Sequence, residues 1–212
     1  MKTLFALVLS ASISATVTGA AELTIAVKSA KGEPVADAVV SLVPLDAPVP
    51  PVPAGTGGEI GQKGQEFTSY VTVVQAGTKV VFPNRDTVQH HVYSLSKAKK
   101  FELPLYNPGA AESFVFDVPG LVTLGCNIHD WMLAYLVIVP TPYFAKSDAA
   151  GAARVSAPAG RYRLELWHPR VAAPVTQELA LTEGAAGARE FTLTLKADRR
   201  IRRGPESKSG GY

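Results

Sequence analysis

Short runs of β-branched and aromatic residues, each closed by a turn signal, leave this chain little choice but an all-β fold. Val71-Thr72-Val73-Val74 and the segments 79–82, 91–95, 113–118, 121–125 and 134–139 have strand length and strand composition. Gln75-Ala76-Gly77, Asn84-Arg85-Asp86, Asn107-Pro108-Gly109 and Pro119-Gly120 punctuate them. No helical periodicity, heptad or tandem repeat intervenes, so the pattern predicts an antiparallel sandwich or barrel. Strands are also expected at 23–27 and 38–45 before this region, and at 161–167 and 190–195 after it. Residues 46–58 (DAPVPPVPAGTGG) read as a linker, extended through its prolines and flexible through its glycines, with its core at 49–58.

The chain has 212 residues, room for one or two domains, and 47% hydrophobic against 18% charged residues, which excludes wholesale disorder. Its first twenty residues do not belong to the fold. Lys2, the apolar run 4–9 and the small residues up to Gly19-Ala20-Ala21 have the layout of a secretory signal peptide, 1–20, with cleavage after Ala20 or Ala21. That run is too short and too rich in Ser and Thr to span a bilayer, and no later segment is long and apolar enough. A soluble, exported, periplasmic protein without a transmembrane segment is therefore expected.

The formal charge of +3 and pI of about 9.0 suggest nucleic acid or an anionic surface as partner. The distribution says otherwise. Without Lys2 and the six basic residues from Lys196 onward, 14 basic residues face 16 acidic ones. The fold itself is slightly acidic, so no nucleic-acid surface is expected. The segment 196–212 reads as a basic, disordered tail, able at most to touch an anionic surface weakly through Arg199-Arg200 and Arg202-Arg203.

The rare residues gather in one place. The only cysteine, and the only methionine outside the leader, lie in Cys126-Asn127-Ile128-His129-Asp130-Trp131-Met132, and His90-His91 stand upstream at a strand end. One cysteine excludes an intramolecular disulfide and the C-x-x-C-H attachment of haem c. Two imidazoles, a thiolate and a long thioether contact are the ligand set of a blue copper site, poised between the preferences of Cu(I) and Cu(II). Two-residue gaps suffice for a tight loop to bring Cys, His and Met to one point, while the first His arrives from a distant strand.

Other uses of these residues exist. A lone Cys also serves as a small buried hydrophobe and a lone Met as core filling. A Cys nucleophile with a His base is conceivable but leaves Met132 without a role. A His2Cys set also suits zinc, which keeps open a copper or zinc binding and delivery protein without electron-transfer turnover. A third possibility makes Trp167-His168-Pro169 part of an adhesion or carbohydrate surface. No paired carboxylates, phosphate loop or nucleophilic triad stands out, and beyond the site only His168 remains as a further ligand, so no enzyme is expected.

The residues Val81-Phe82-Pro83-Asn84-Arg85-Asp86-Thr87-Val88-Gln89-His90-His91-Val92 resemble the strand of plastocyanins and amicyanins that delivers the first copper ligand. The loop from Cys126 to Met132 has the amicyanin spacing, and 133–139 resembles the closing strand. The stretch 59–139 thus resembles one Greek-key cupredoxin domain. Leu124 stands where an aromatic is usual, and Ile128 where a proline is common; both departures leave the ligands intact. The resemblance implies one type 1 copper held by His90, Cys126, His129 and Met132, with Asn84, His91 and Asn127 supporting them from outside. It also implies an electron-transfer surface of Ile128, His129 and Trp131, docking an unidentified redox protein.

The flanks, Ser29 to Val40 and the segments 147–151 and 158–164, resemble carboxypeptidase-regulatory-like (prealbumin-like) sandwiches. The expected architecture is one small discontinuous sandwich, 22–48 plus 141–195, with the cupredoxin domain inserted in or appended to it. The whole resembles exported proteins often labelled methylamine utilization proteins, and implies a one-electron carrier.

Overall fold

The computed structural model describes residues 20–198 and 200. The signal-peptide segment 1–19 and residues 199 and 201–212 of the tail lie outside the described residues. The described strands are, in order, β1 (Ala20–Ser29), β2 (Val39–Pro44), β3 (Gly57–Glu59), β4 (Gln62–Lys63), β5 (Glu66–Phe67), β6 (Val71–Gln75), β7 (Thr78–Pro83), β8 (His90–Ser96) and β9 (Lys99–Tyr106). They continue as β10 (Ala111–Phe116), β11 (Gly120–Cys126), β12 (Leu133–Val139), β13 (Phe144–Lys146), β14 (Ala152–Pro158), β15 (Gly160–Trp167), β16 (Val175–Leu181) and β17 (Ala186–Leu193). The all-β expectation holds. No helix among the described residues is long and apolar enough to cross a membrane.

Two apolar cores organise these strands. The first is built from both ends of the chain. β1 pairs antiparallel with β14 and parallel with β17 in one sheet, while β13, β2, β15 and β16 form another. Alternation along β1 sends Ala21, Leu23, Ile25 and Val27 inward, where they meet Val40, Leu42, Leu164 and Leu166 from the other sheet. The second core lies between a five-stranded sheet, ordered β6-β12-β11-β8-β9, and a three-stranded one, β10-β7-β3. Phe82, Phe116, Leu124, Leu136 and Val92 fill it, with Phe101 and Phe114 packed alongside.

A third, smaller cluster joins the two. β2 and β12 are buried on both faces and accordingly read as near-continuous apolar runs, VVSLVP and LAYLVIV. Val39 from β2 and Val137 and Val139 from β12 turn away from their own cores and meet at the junction, together with Trp167 and Tyr135.

The structure has strands where none was expected, among them β9, β14 and β16, whose runs KKFELPLY, AARVSAP and VTQELAL are charged, polar or interrupted by proline, and two expected segments differ in kind. Gly57 and Gly58, expected as flexible linker, are strand: β3 runs parallel to β7, with Gly58 opposite Val80. Glycine fits because a Cβ on Gly58 would stand 3.0 Å from a Val74 methyl. The first residues of the expected tail are docked. Lys196 exchanges backbone and side-chain hydrogen bonds with Arg170, and the Arg200 guanidinium lies 4.1 Å over the Tyr70 ring.

Candidate metal centre

Three strands converge on the end of the second core. β11 ends at Cys126, which pairs with Val92 of β8, so the cysteine stands beside the first residues of β8. β8 begins at His90, a ring with no solvent exposure. The loop from Asn127 to Met132 closes over them through two backbone bonds. Asn127 N–H donates to the His91 carbonyl (3.1 Å), and Met132 N–H to the His129 carbonyl (3.0 Å). Across from His90 the β8–β9 ladder shifts register, with Pro104 and Leu105 carrying the extra residue of β9. Proline has no N–H to offer the ladder, so the irregularity falls where it costs least, next to the site.

The geometry draws three donors to one point. Cys126 Sγ lies 3.8 Å from His90 Nδ1 and 3.4 Å from His129 Nδ1. One donor atom from each of the three residues falls within 4.8 Å of the others. An ion about 2.0 Å from each nitrogen and about 2.3 Å from sulfur leaves S···N separations of about 3.5–3.7 Å at angles between tetrahedral and trigonal. The observed pair brackets that range, so the donors fit a soft or borderline ion such as copper or zinc. All three are nitrogen or sulfur, which disfavours magnesium or calcium. Cys126 is buried and His129 half-buried, with its ring 4.9 Å from that of His90 and 5.3 Å from that of Trp131.

The second nitrogen of His90 is also held. Nε2 lies 3.1 Å from Asp86 Oδ2, whose carboxylate receives the backbone N–H groups of Gln65 and Thr87 as well. Burial alone would raise the Asp86 carboxyl; the hydrogen bonds from Gln65, Thr87 and His90 outweigh it and hold the group below its ordinary range. The Gln65 carbonyl in turn accepts Trp131 Nε1–H at 2.8 Å. Behind this layer, buried Tyr106 donates its hydroxyl to buried Gln62, whose amide donates to the Ile60 carbonyl. Burial, reinforced by the nearby Cys126, pushes the Tyr106 phenol up, so it stays a neutral donor.

Each residue expected at the site has a definite place. His90, Cys126 and His129 come together. Met132 is buried at the end of the same loop. Asn84, 1% exposed, gives its amide to the Val88 and Tyr106 carbonyls (2.9 and 3.2 Å) and accepts the Asp86 N–H (3.0 Å), tying the segment before His90 to the end of β9. Asn127 reaches β8 through its backbone, and its side chain is exposed. The His91 ring points to the other face of β8. Its Nε2 lies 2.9 Å from Glu102 Oε1 without the alignment of a hydrogen bond. Ile128 is 46% exposed beside half-buried His129 and Trp131.

Asp86, Gln65 and Tyr106 were not expected here. Asp86 carried a signal, a carboxylate four residues before a candidate donor histidine, but in Asn84-Arg85-Asp86 it reads equally as a polar turn. Gln65 acts through its backbone, and no side-chain pattern announces that.

The chain matches no protein-family model and no curated protein. Among solved structures it is similar to a purple cupredoxin from Nitrosopumilus maritimus, at 22% identity over 38% of this chain and 98% of that one, with a TM-score of 0.35. It is also similar to a reduced variant of amicyanin (19% identity, 47% of this chain, 97% of that one, TM-score 0.37). A copper-containing nitrite reductase from Thermus scotoductus SA-01 matches at 22% identity and TM-score 0.38, over 42% of this chain but only 25% of the enzyme.

Proposed function

We propose that the chain is an exported type 1 copper protein carrying one electron at a time, and not an enzyme. The observation that supports this best is the meeting of one donor atom each from His90, Cys126 and His129 within 4.8 Å, with both histidine Nδ1 atoms close to Cys126 Sγ, at the end of a packed sandwich. In this reading His90, Cys126 and His129 would hold one copper, with Met132, buried at the end of the same loop, as a fourth donor. Bound copper supplies a one-electron couple, Cu(II)/Cu(I), coupled to the thiolate.

The chain's own residues do the rest. Cys126 binds as thiolate, so loading releases a proton and weakens in acid. Burial of His90 and Cys126 keeps water from the site, and the packed strands preset the donors before metal arrives. His129, flanked by exposed Ile128 and half-buried Trp131, offers a small apolar face for brief docking with a redox protein. We assign 59–139 to the copper domain and the core shared by 22–48 and 141–195 to its mount, and export to a signal peptide at the N-terminus. A cut after Ala20 suits this assignment, because Ala21 is a buried residue of β1.

The test is the visible spectrum of the Cu(II)-loaded protein together with voltammetry. A thiolate–copper band toward the red and a reversible one-electron couple are expected, and Cys126→Ser should abolish the colour. A spectrum indifferent to Cys126→Ser refutes the site. Metal binding without a reversible couple refutes the carrier and leaves a copper or zinc binding protein.

A further inference from the structure

The far side of His90 faces a carboxylate, which the ligand set alone does not require. A backbone carbonyl or a water would also orient an imidazole. Here the partner is the Asp86 carboxylate, 3.1 Å from Nε2, with a side chain only 9% exposed against a ring that has no exposure. Asp86 is itself fixed: Oδ1 accepts the Thr87 N–H at 2.9 Å, and Oδ2 accepts the Gln65 N–H as well as facing His90.

The Gln65 contact depends on an uncommon backbone. β4 and β5 are joined by a two-residue turn in which Gly64 and Gln65 both have positive φ (64° and 58°). That is the primed turn usual for hairpins, but with a side-chain-bearing residue where glycine is preferred. The conformation aims the Gln65 N–H at Asp86 and the Gln65 carbonyl at Trp131. One residue thereby links the carboxylate behind His90 to the aromatic ring beside His129.

We infer that Asp86 is a positioning residue of the metal centre, which fixes His90 as the Nε2–H tautomer and biases the bound copper toward its oxidised form. The inference rests on the copper reading above. Two consequences of charge and geometry support it. An Nε2–H pointing at a carboxylate leaves Nδ1 with its lone pair toward Cys126 and makes that nitrogen a stronger donor. The charge count moves in the same direction. With thiolate and carboxylate both present, Cu(II) leaves the buried cluster neutral and Cu(I) leaves it at −1. A net charge is costly in a medium of low dielectric constant, so the reduced state is the one disfavoured.

The test uses the full chain and the Asp86→Asn variant. Asparagine keeps an acceptor oxygen toward Gln65 and His90, loses the charge, and gives up the Thr87 contact. The preference for Cu(II) over Cu(I) should fall about tenfold, a rise in reduction potential of about 59 mV for one electron, while the thiolate band stays. A potential unchanged or lowered in a folded, coloured Asp86→Asn protein overturns the inference and leaves the copper reading intact. Nitrogen NMR of the metal-free wild-type chain gives a second measurement that needs no variant. His90 should carry its proton on Nε2, and a proton on Nδ1 overturns the positioning role. If the wild-type protein shows no copper couple at all, the copper reading fails and the redox bias with it, and the tautomer result judges the positioning role separately.

Discussion

Replacing Asn84 by alanine should loosen the metal centre from behind without touching a ligand. The Asn84 side chain makes three hydrogen bonds in a nearly water-free position: its amide donates to the carbonyls of Val88 and Tyr106, and its oxygen accepts the N–H of Asp86. Each such bond contributes about 0.5–1.5 kcal/mol net, and the abandoned groups are left in places where water reaches them poorly. The expected loss is about 2–4 kcal/mol, or roughly 3 kcal/mol as a working figure. For a chain of this size that lowers the melting temperature by about 6–12 °C. The backbone bonds of Asn84 with Ala110 and Gly109 survive the substitution, so the strand end should stay in place while Asp86 and His90 gain freedom. Asn84→Asp should be worse than Asn84→Ala, because it turns a double donor into an acceptor aimed at two carbonyl oxygens. The assay is urea unfolding of the metal-free protein, followed by Trp131 fluorescence in a Trp167→Phe background, with copper affinity measured in parallel. Affinity should fall about 10- to 100-fold, as for other groups that orient metal ligands from outside. A loss below about 1 kcal/mol in Asn84→Ala, or an Asp variant no worse than the Ala variant, would refute the account.

Three further outcomes follow from the same geometry. Leu164→Ala empties a fully buried position between the β1 and β2 sheets and should cost about 2–5 kcal/mol; Trp167 fluorescence should report it while the copper spectrum is unchanged, and an equal shift at Trp131 would deny the two cores separate stability. His168 is 6% exposed, and burial first, then the charge of Arg170, lowers its pKa from 6.5. Its folded pKa lies below the unfolded value, so its stabilising effect is complete above about pH 6.5 and lost as pH falls toward the folded value; His168→Gln should flatten that part of the stability–pH curve, and an unaltered slope would clear His168 of the effect. Met132→Gln should keep the metal and move the reduction potential downward, and an unmoved potential argues against a thioether contact.

Much of the candidate metal centre could be read from the residues because it is made of scarce ones. The one cysteine and the one methionine outside the leader, bracketing a histidine, carry information that common residues do not, and the order along the chain already separates His90 from the candidate donors of the loop. The group behind them was less legible. Asp86 looks like any turn aspartate until His90 is seen facing it, and His91, adjacent in sequence, goes to the opposite face because successive strand residues alternate. Gln65 was invisible for a different reason: it contributes an N–H and a C=O aimed by a left-handed backbone, and every residue has those groups.

Many of the strands were written in the chain, since β-branched and aromatic runs cut by glycine, proline and asparagine admit few other local structures, whereas β9, β14 and β16 lack such runs and were not. Short-range chemistry suffices for that, and for the closeness of Cys126, His129 and Met132 along one loop. Which strands share a core is not a local matter. β1 alternates as an amphipathic strand whatever it pairs with, yet it lies between β14 and β17, from the far end of the chain. β2 and β12 are apolar on both faces only because two cores and a junction bury them. The same holds at the site. The sequence states which candidate donors exist, while the carboxylate placed behind His90 arises only when a hairpin turn, a loop and a strand start are packed against one another.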